Sequence, residues 1–204
     1  PDSALKNALA QKPFVLHCFG CAEVFSPEEE IHKFLAAHSN AIAGTFRCDY
    51  LCNAEFCTSY CSSLHIRDCD AVLVFACGVG IQTVASVLAA RQVFAGCDTF
   101  AVNGFQGVSI AEDDCEQCGE CRLSLTGGIC PLTACAKGLL NGPCGGAKNG
   151  RCEVNAAFEC GWERIWRRLV QHNQENAMRL SRAVRNYALL NTEASRCSTN
   201  NKKP

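Results

Sequence analysis

The sequence predicts an α/β fold, in which a small parallel-sheet domain is followed by a loop-rich cysteine segment and a long C-terminal helix. Three observations lead there. Short apolar runs alternate with stretches of helical length through the first half of the chain, the pattern of strands joined by helical crossovers. Eight of the 18 cysteines lie between Cys115 and Cys160, among glycines and with little apolar periodicity. After Gly161 apolar residues return at a helical period. The expected divisions are an α/β domain over 1–110, a metal-cluster segment over 111–160, an amphipathic helix over 161–193 and a disordered polar tail over 194–204.

Along the chain, Pro13 to His17 is an apolar run that ends in the loop Cys18-Phe19-Gly20-Cys21. Ser26-Pro27-Glu28-Glu29 reads as a capping box, with Ser26 as the cap and Pro27 at the first helical position, opening a helix through His38. A second run, Ala41 to Phe46, leads into Cys48, and a helix is expected from Tyr50 to Ser63. Ala71 to Ala76 (AVLVFA) is the clearest buried strand. It ends in Cys77-Gly78-Val79-Gly80, before a helix expected over Ile81 to Phe94 and a fourth strand over Asp98 to Val102. Right-handed crossovers between such strands give a flavodoxin-like or Rossmann-like parallel sheet.

Loops that follow parallel strands leave the same sheet edge, where open α/β sheets bind ligands. Cys18, Cys21, Cys48 and Cys77 lie in such loops and can converge on one metal site, with Cys52 one helical turn beyond Cys48 as a substitute. Helix N-termini at that edge favour thiolates. The expected occupant is a third iron-sulfur cluster or zinc. Cysteine is also an ordinary small core residue, and Cys57 and Cys61, four apart on a helix, are read as surface or packing thiols, as are Cys69 and Cys97. His17 and His65 are zinc ligands in principle, although a lone histidine is more commonly a hydrogen-bonded structural residue. Gly78-Val79-Gly80 lacks the dinucleotide fingerprint, because Thr83 stands where the third glycine belongs and no acidic residue follows at a strand end.

In the second half, Cys115, Cys118 and Cys121 stand at CxxCxxC spacing and Cys130 precedes Pro131. Zinc usually takes two separated CxxC pairs around one ion, whereas a triplet plus a remote Cys-Pro is how iron-sulfur clusters are commonly held. With Cys135, Cys144, Cys152 and Cys160 there are eight candidate ligands, enough for two 4Fe-4S clusters, and spacing does not pair them. Gly127, Gly128, Gly142, Gly145 and Gly146 permit tight turns that bring N–H groups to cluster sulfurs. Lys137, Lys148 and Arg151 either favour the reduced cluster or are solvated loop surface. Beyond them, Trp162, Ile165, Trp166, Leu169 and Val170 form a stripe that packs on the cluster segment. The opposite face carries Arg164, Arg167, Arg168, Arg179, Arg182 and Arg185, solvated or docking a partner subunit. Cys197 is incidental.

Composition excludes several classes. A net charge of −1, from 19 basic and 20 acidic residues, gives no global field for nucleic acid or an anionic membrane. Three tyrosines and one methionine argue against a base-stacking platform. No apolar run approaches the ~18 residues of a membrane span, and no leader pattern opens the sequence. So many thiols would suit a small secreted disulfide scaffold, but at this length and without a leader pattern a reduced, cytoplasmic setting is expected. No Ser/His/Asp arrangement, apolar carboxylate pair or flavin-binding signature points to substrate turnover on this chain.

The run GGICPLTACAKGLLNGPCGGAKNGRCEV, with ECGWERIWRRL after it, resembles the C-terminal domain of methylenetetrahydrofolate reductases, in particular the small cysteine-rich (MetV-type) subunit of two-subunit forms. The N-terminal half resembles that subunit through its first cysteine loop and the segment Ala76-Cys77-Gly78-Val79-Gly80, but Phe25 stands where a third loop cysteine is usual. The resemblance implies an electron-transfer subunit carrying 4Fe-4S clusters, bound to a catalytic partner with FMN or FAD that interconverts methylene- and methyl-tetrahydrofolate, or an analogous pterin, in the reductive acetyl-CoA route. Electrons would come from ferredoxin or another redox subunit. The competing expectations are a zinc-stabilised structural subunit of the same complex and a corrinoid- or carbonyl-handling accessory protein.

Overall fold

The computed structural model describes residues 2–21, 24–64, 66, 69–100, 109–110, 113–180 and 184–187. Helix α1 (Asp2–Ala10) leads into strand β1 (Phe14–Cys18), helix α2 (Glu28–Ala37), strand β2 (Gly44–Cys48) and helix α3 (Ala54–Ser63). Strand β3 (Ala71–Phe75), helix α4 (Gly78–Val87) and strand β4 (Gln92–Ala95) complete a four-stranded sheet, all parallel, in the order β2-β1-β3-β4. The protein is α/β, as its alternating runs require.

Side chains on a strand alternate between faces, and the core divides accordingly. Leu16, Val72 and Val74 point to one face, against Leu51, Cys57 and Cys61 on the α3 side and Ile81, Val84 and Ala85 of α4. Val15, Leu73 and Phe75 point to the other, against Ala8 of α1 and Ile31 of α2. Strand β3 is buried along its whole length because it is central and covered on both sides.

Several element boundaries differ from expectation. The fourth strand lies at Gln92–Ala95, and α4 ends at Val87. The helical expectation over 81–94 continued through an apolar stretch whose second part, QVFA, is β-branched and aromatic enough to pair with β3. Asp98 to Phe100 leaves this sheet, and Phe100 instead bridges Cys118; Ala101 and Val102 lie outside the described residues. Ser26 caps nothing. Pro27 takes the cap position without a side-chain bond, and Ser26 Oγ lies 3.2 Å from His17 Nε2. Helix α3 starts at Ala54 rather than Tyr50, since Asn53 accepts from the N–H groups of Glu55 and Phe56 and ends the preceding turn.

Beyond the sheet regular structure is short: the antiparallel pair β5 (Ser109–Ile110) and β6 (Asp113–Asp114), helix α5 (Pro131–Ala134), helix α6 (Gly161–Gln171) and helix α7 (Ala177–Leu180). The expected helix over 161–193 is therefore interrupted at residues 172–176, where Asn173 takes a positive φ. The expected tail over 194–204 lies outside the described residues, as does His65. Trp162, Ile165 and Leu169 of the stripe are buried, while Trp166 and Val170 are exposed. Arg168 crosses to the sheet domain, donating to Ala85 O at 2.7 Å. Among the described residues no helix is long and apolar enough to cross a membrane.

The cysteine segment packs on the sheet domain. Leu123, 2% exposed, joins the apolar cluster of Leu16, Val74 and Ile81, and Ser124 Oγ accepts from Ala95 N at 2.8 Å. Replacing Leu123 with Ala is expected to lower the stability of the whole chain by about 2–5 kcal/mol. Urea unfolding followed by far-UV circular dichroism checks this, and an unchanged midpoint would mean that the segment folds independently of the sheet.

Candidate metal centres

The structure gathers most of the candidate cysteines into three groups. The first lies at the carboxyl edge between β1 and β3, where the strand order reverses and ligands bind in such sheets. Cys18, Cys21, Cys52, Cys77 and Cys97 line a cavity of about 420 Å³ there, with Phe19, Phe25, Tyr50 and Phe100 around it. Burial pushes the Cys18 thiol up to about 11, and the neighbouring Cys77, Cys52 and Cys21 add to the shift. Cys52, proposed as a substitute, lines this cavity; Cys48 does not. Cys48 is 4% exposed in the apolar core with Cys57 and Cys61, and burial pushes it up to about 12. The inward-facing last residue of β2 explains that placement. Cys97, read as surface or packing, is on the cavity and donates from Sγ to Ala76 O at 3.3 Å. Its sequence neighbours give no sign of this, because the helix expected over Ile81 to Phe94 takes in most of β4 and leaves Cys97 ahead of the expected fourth strand instead of in the loop that follows the real one.

The second group is Cys115, Cys118, Cys121 and Cys130, which surround one cavity together with Gly78, Gln82 and Thr99. Here the CxxCxxC loop is shaped by left-handed turns at Gln117 (φ 51°) and Gly119 (φ 71°), and Gln117 N donates to Cys115 Sγ at 3.4 Å. Three residues from the sheet domain hold it. Asp98 Oδ1 accepts from Cys121 N at 2.8 Å, Thr99 O accepts from Gly119 N at 2.9 Å, and buried Gln82 accepts from Cys130 N at 3.1 Å while donating to Gly78 O. None of the three was legible as part of the site, since each lies 20 or more positions from the residue it bonds.

The third group is Cys135, Cys144, Cys152 and Cys160, which line a narrow space with Lys137, Glu153 and Trp162. Gly145 takes a positive φ of 79°, and Gly146 N donates to Cys144 Sγ at 3.4 Å. Lys137 pairs with Glu153. The main chains of Lys148 and Arg151 bridge each other, and Arg151 Nη1 donates to Ala157 O at 3.3 Å. Cys160 is buried beside Trp162, whose indole N–H donates to Leu139 O at 2.9 Å.

His17 is 3% exposed and lies off the first cavity, against Ser26 and edge-on to His32. Cys57 and Cys61 are fully buried, which settles them as packing residues. Among the described residues no three His, Cys, Asp or Glu side chains converge on a single-ion position. The N–H groups aimed at Cys115 Sγ and Cys144 Sγ suit sulfur that carries charge. Burial raises the Cys115 thiol to about 11 and also raises Cys118 and Cys121, which disfavours their free thiolates.

Family comparison falls on this part of the chain. Residues 94–188 match the family described as Methylene-tetrahydrofolate reductase C terminal. The matched stretch contains the second and third cysteine groups, Asp98, Thr99 and α6, and it supports the resemblance at the level of the family. No curated protein and no solved structure matches the chain.

The burial pattern predicts an order of reactivity. In the folded, metal-free chain at pH 8, iodoacetamide is expected to modify exposed Cys144 readily and to leave Cys57 and Cys61 untouched until denaturant is added. The hydrogen bond that the Cys57 thiol makes to Cys61, then burial, raises Cys57 and withholds its thiolate. Peptide mass spectrometry reads the outcome, and comparable labelling of Cys57 and Cys144 in the folded state would contradict the packing.

Proposed function

We propose that this chain is the iron-sulfur electron-transfer subunit of a methylenetetrahydrofolate reductase complex, and that a flavin-containing partner subunit carries the folate chemistry. The observation that carries the reading is the cavity bounded by Cys115, Cys118, Cys121 and Cys130. A CxxCxxC loop and a distant Cys-Pro reach the same space, as a four-iron cluster requires. The family match supplies the reductase context. Cys135, Cys144, Cys152 and Cys160 would hold a second cluster, and Cys18, Cys21, Cys52 and Cys77 a third. Clusters so bound would supply one-electron steps to a two-electron flavin in the partner. The chain's own residues hold thiolates, donate N–H groups to sulfur and exclude water through Leu123, Leu132 and Trp162.

A specific observation favours a structural role for the third group. Residues 141–159 contain no helix or strand and are tied by the isolated bridges Lys148↔Arg151 and Arg151↔Glu159, by short main-chain bonds such as Cys160 N to Gly150 O, and by exposed ion pairs, and a loop with so little core of its own would gain shape from a bound metal. Zinc would serve there as well as iron.

Anaerobic purification with the flavoprotein partner, followed by iron, zinc and acid-labile sulfide analysis, is expected to give about eight or more irons per chain with matching sulfide. Cys118→Ser is expected to remove about four of them. Colourless protein containing zinc alone would sink the electron-transfer reading.

A further inference from the structure

The first and second cysteine groups meet at one residue. Cys77 lines the first cavity, Gly78 lines the second, and Thr99 lines both. Gly78 N donates to Thr99 Oγ1 at 3.0 Å, and Thr99 O accepts from Gly119 N, so Thr99 ties the start of α4 to the CxxCxxC loop. Gly78 has helical backbone, and glycine is a poor helix former, so its conformation does not call for glycine. Its surroundings do. A Cβ at Gly78 would stand 2.6 Å from Cys115 Sγ and 3.3 Å from Cys115 Cβ. The neighbour that would have to move is thus a candidate ligand at the end of a rotatable bond, while the backbone of α4 need not shift.

The second and third groups are also close in the chain. Cys130 and Cys135 are the residues before and after α5, a helix of 4 residues, and a helix rises only about 1.5 Å per residue.

We propose that Gly78 is a positioning residue that sets the first and second cysteine groups back to back, in a row whose middle member is the Cys115–Cys130 group. Metal clusters held by Cys77 and by Cys115 are then nearest neighbours across one glycine. This rests on the iron-sulfur reading above.

The test uses the full chain purified anaerobically with its partner, reduced with dithionite and measured by electron paramagnetic resonance, iron and sulfide. The wild-type protein is expected to show spin–spin interaction between two reduced clusters. Gly78→Ala is expected to lose one cluster's iron, about four atoms, and that interaction, with the third group's signal retained. Thr99→Val keeps a branched side chain of similar shape and removes the acceptor for Gly78 N–H. It is expected to keep full iron and to alter the interaction, and it serves if Gly78→Ala does not fold. Magnetically isolated clusters in the wild type, or wild-type iron and an unchanged spectrum in Gly78→Ala or in Thr99→Val, would overturn the inference. Zinc in the first group with iron in the other two overturns it and leaves the electron-transfer reading standing. No iron at all ends both.

Discussion

The parallel pairing of β1 with β3 is the constraint on which the candidate sites depend. Its register sets His17 opposite Phe75, so both strands end at the same level, and the loops carrying Cys18, Cys21 and Cys77 open side by side. Because the strand order reverses between these two strands, no crossover helix covers the gap. An antiparallel partner would have sent one of those loops to the opposite edge. The two apolar layers fix the register further, since a slip by one residue would turn Leu16, Val72 and Val74 away from α3 and α4.

From that edge the second group is built outward. Segment 98–100 runs from the end of the sheet to the CxxCxxC loop, contributing the Asp98 carboxylate, the Thr99 carbonyl and hydroxyl and the Phe100 bridge. Gln82 does the same work from α4, one amide spanning Gly78 O and Cys130 N. A buried amide satisfied on both its polar atoms rigidifies its surroundings, whereas a half-satisfied one destabilises them. These contacts give a loop with almost no apolar core of its own the stiffness of the sheet.

The fold was legible because strand and crossover runs differ in period, and β3 most of all, since AVLVF is buried on both faces. What failed was punctuation. The sequence offers Gly96 after β4 but no strong break between Val87 and Gln92, so helix and strand were read as one element. Ser26-Pro27 has the composition of a cap, yet the Ser26 hydroxyl found a buried histidine instead. At the sites, types and spacing revealed the CxxCxxC loop and the Cys-Pro. Pairing required three dimensions: Cys130 and Cys135 are close in sequence and line different spaces, while Cys115 and Cys130 share one. Cys48 and Cys52 were separable only by which faces the core, and Cys97 only by the true position of β4.

The three groups differ in how much of their shape the protein supplies without metal. The first is walled by strand ends and apolar side chains such as Ile31 and Phe75, and exists wherever the sheet is folded. The second borrows rigidity through Leu123, Gln82, Asp98 and Thr99. The third relies on short main-chain bridges and on Trp162 and Ile165 at its back. Binding energy that orders a loose loop is partly spent on that ordering. For equal ligand chemistry a metal would therefore load the first group with the smallest ordering cost and the third with the largest. By the same gradient, metal bound at these groups would stabilise the fold least at the sheet and most in the loops around Cys144 and Cys152.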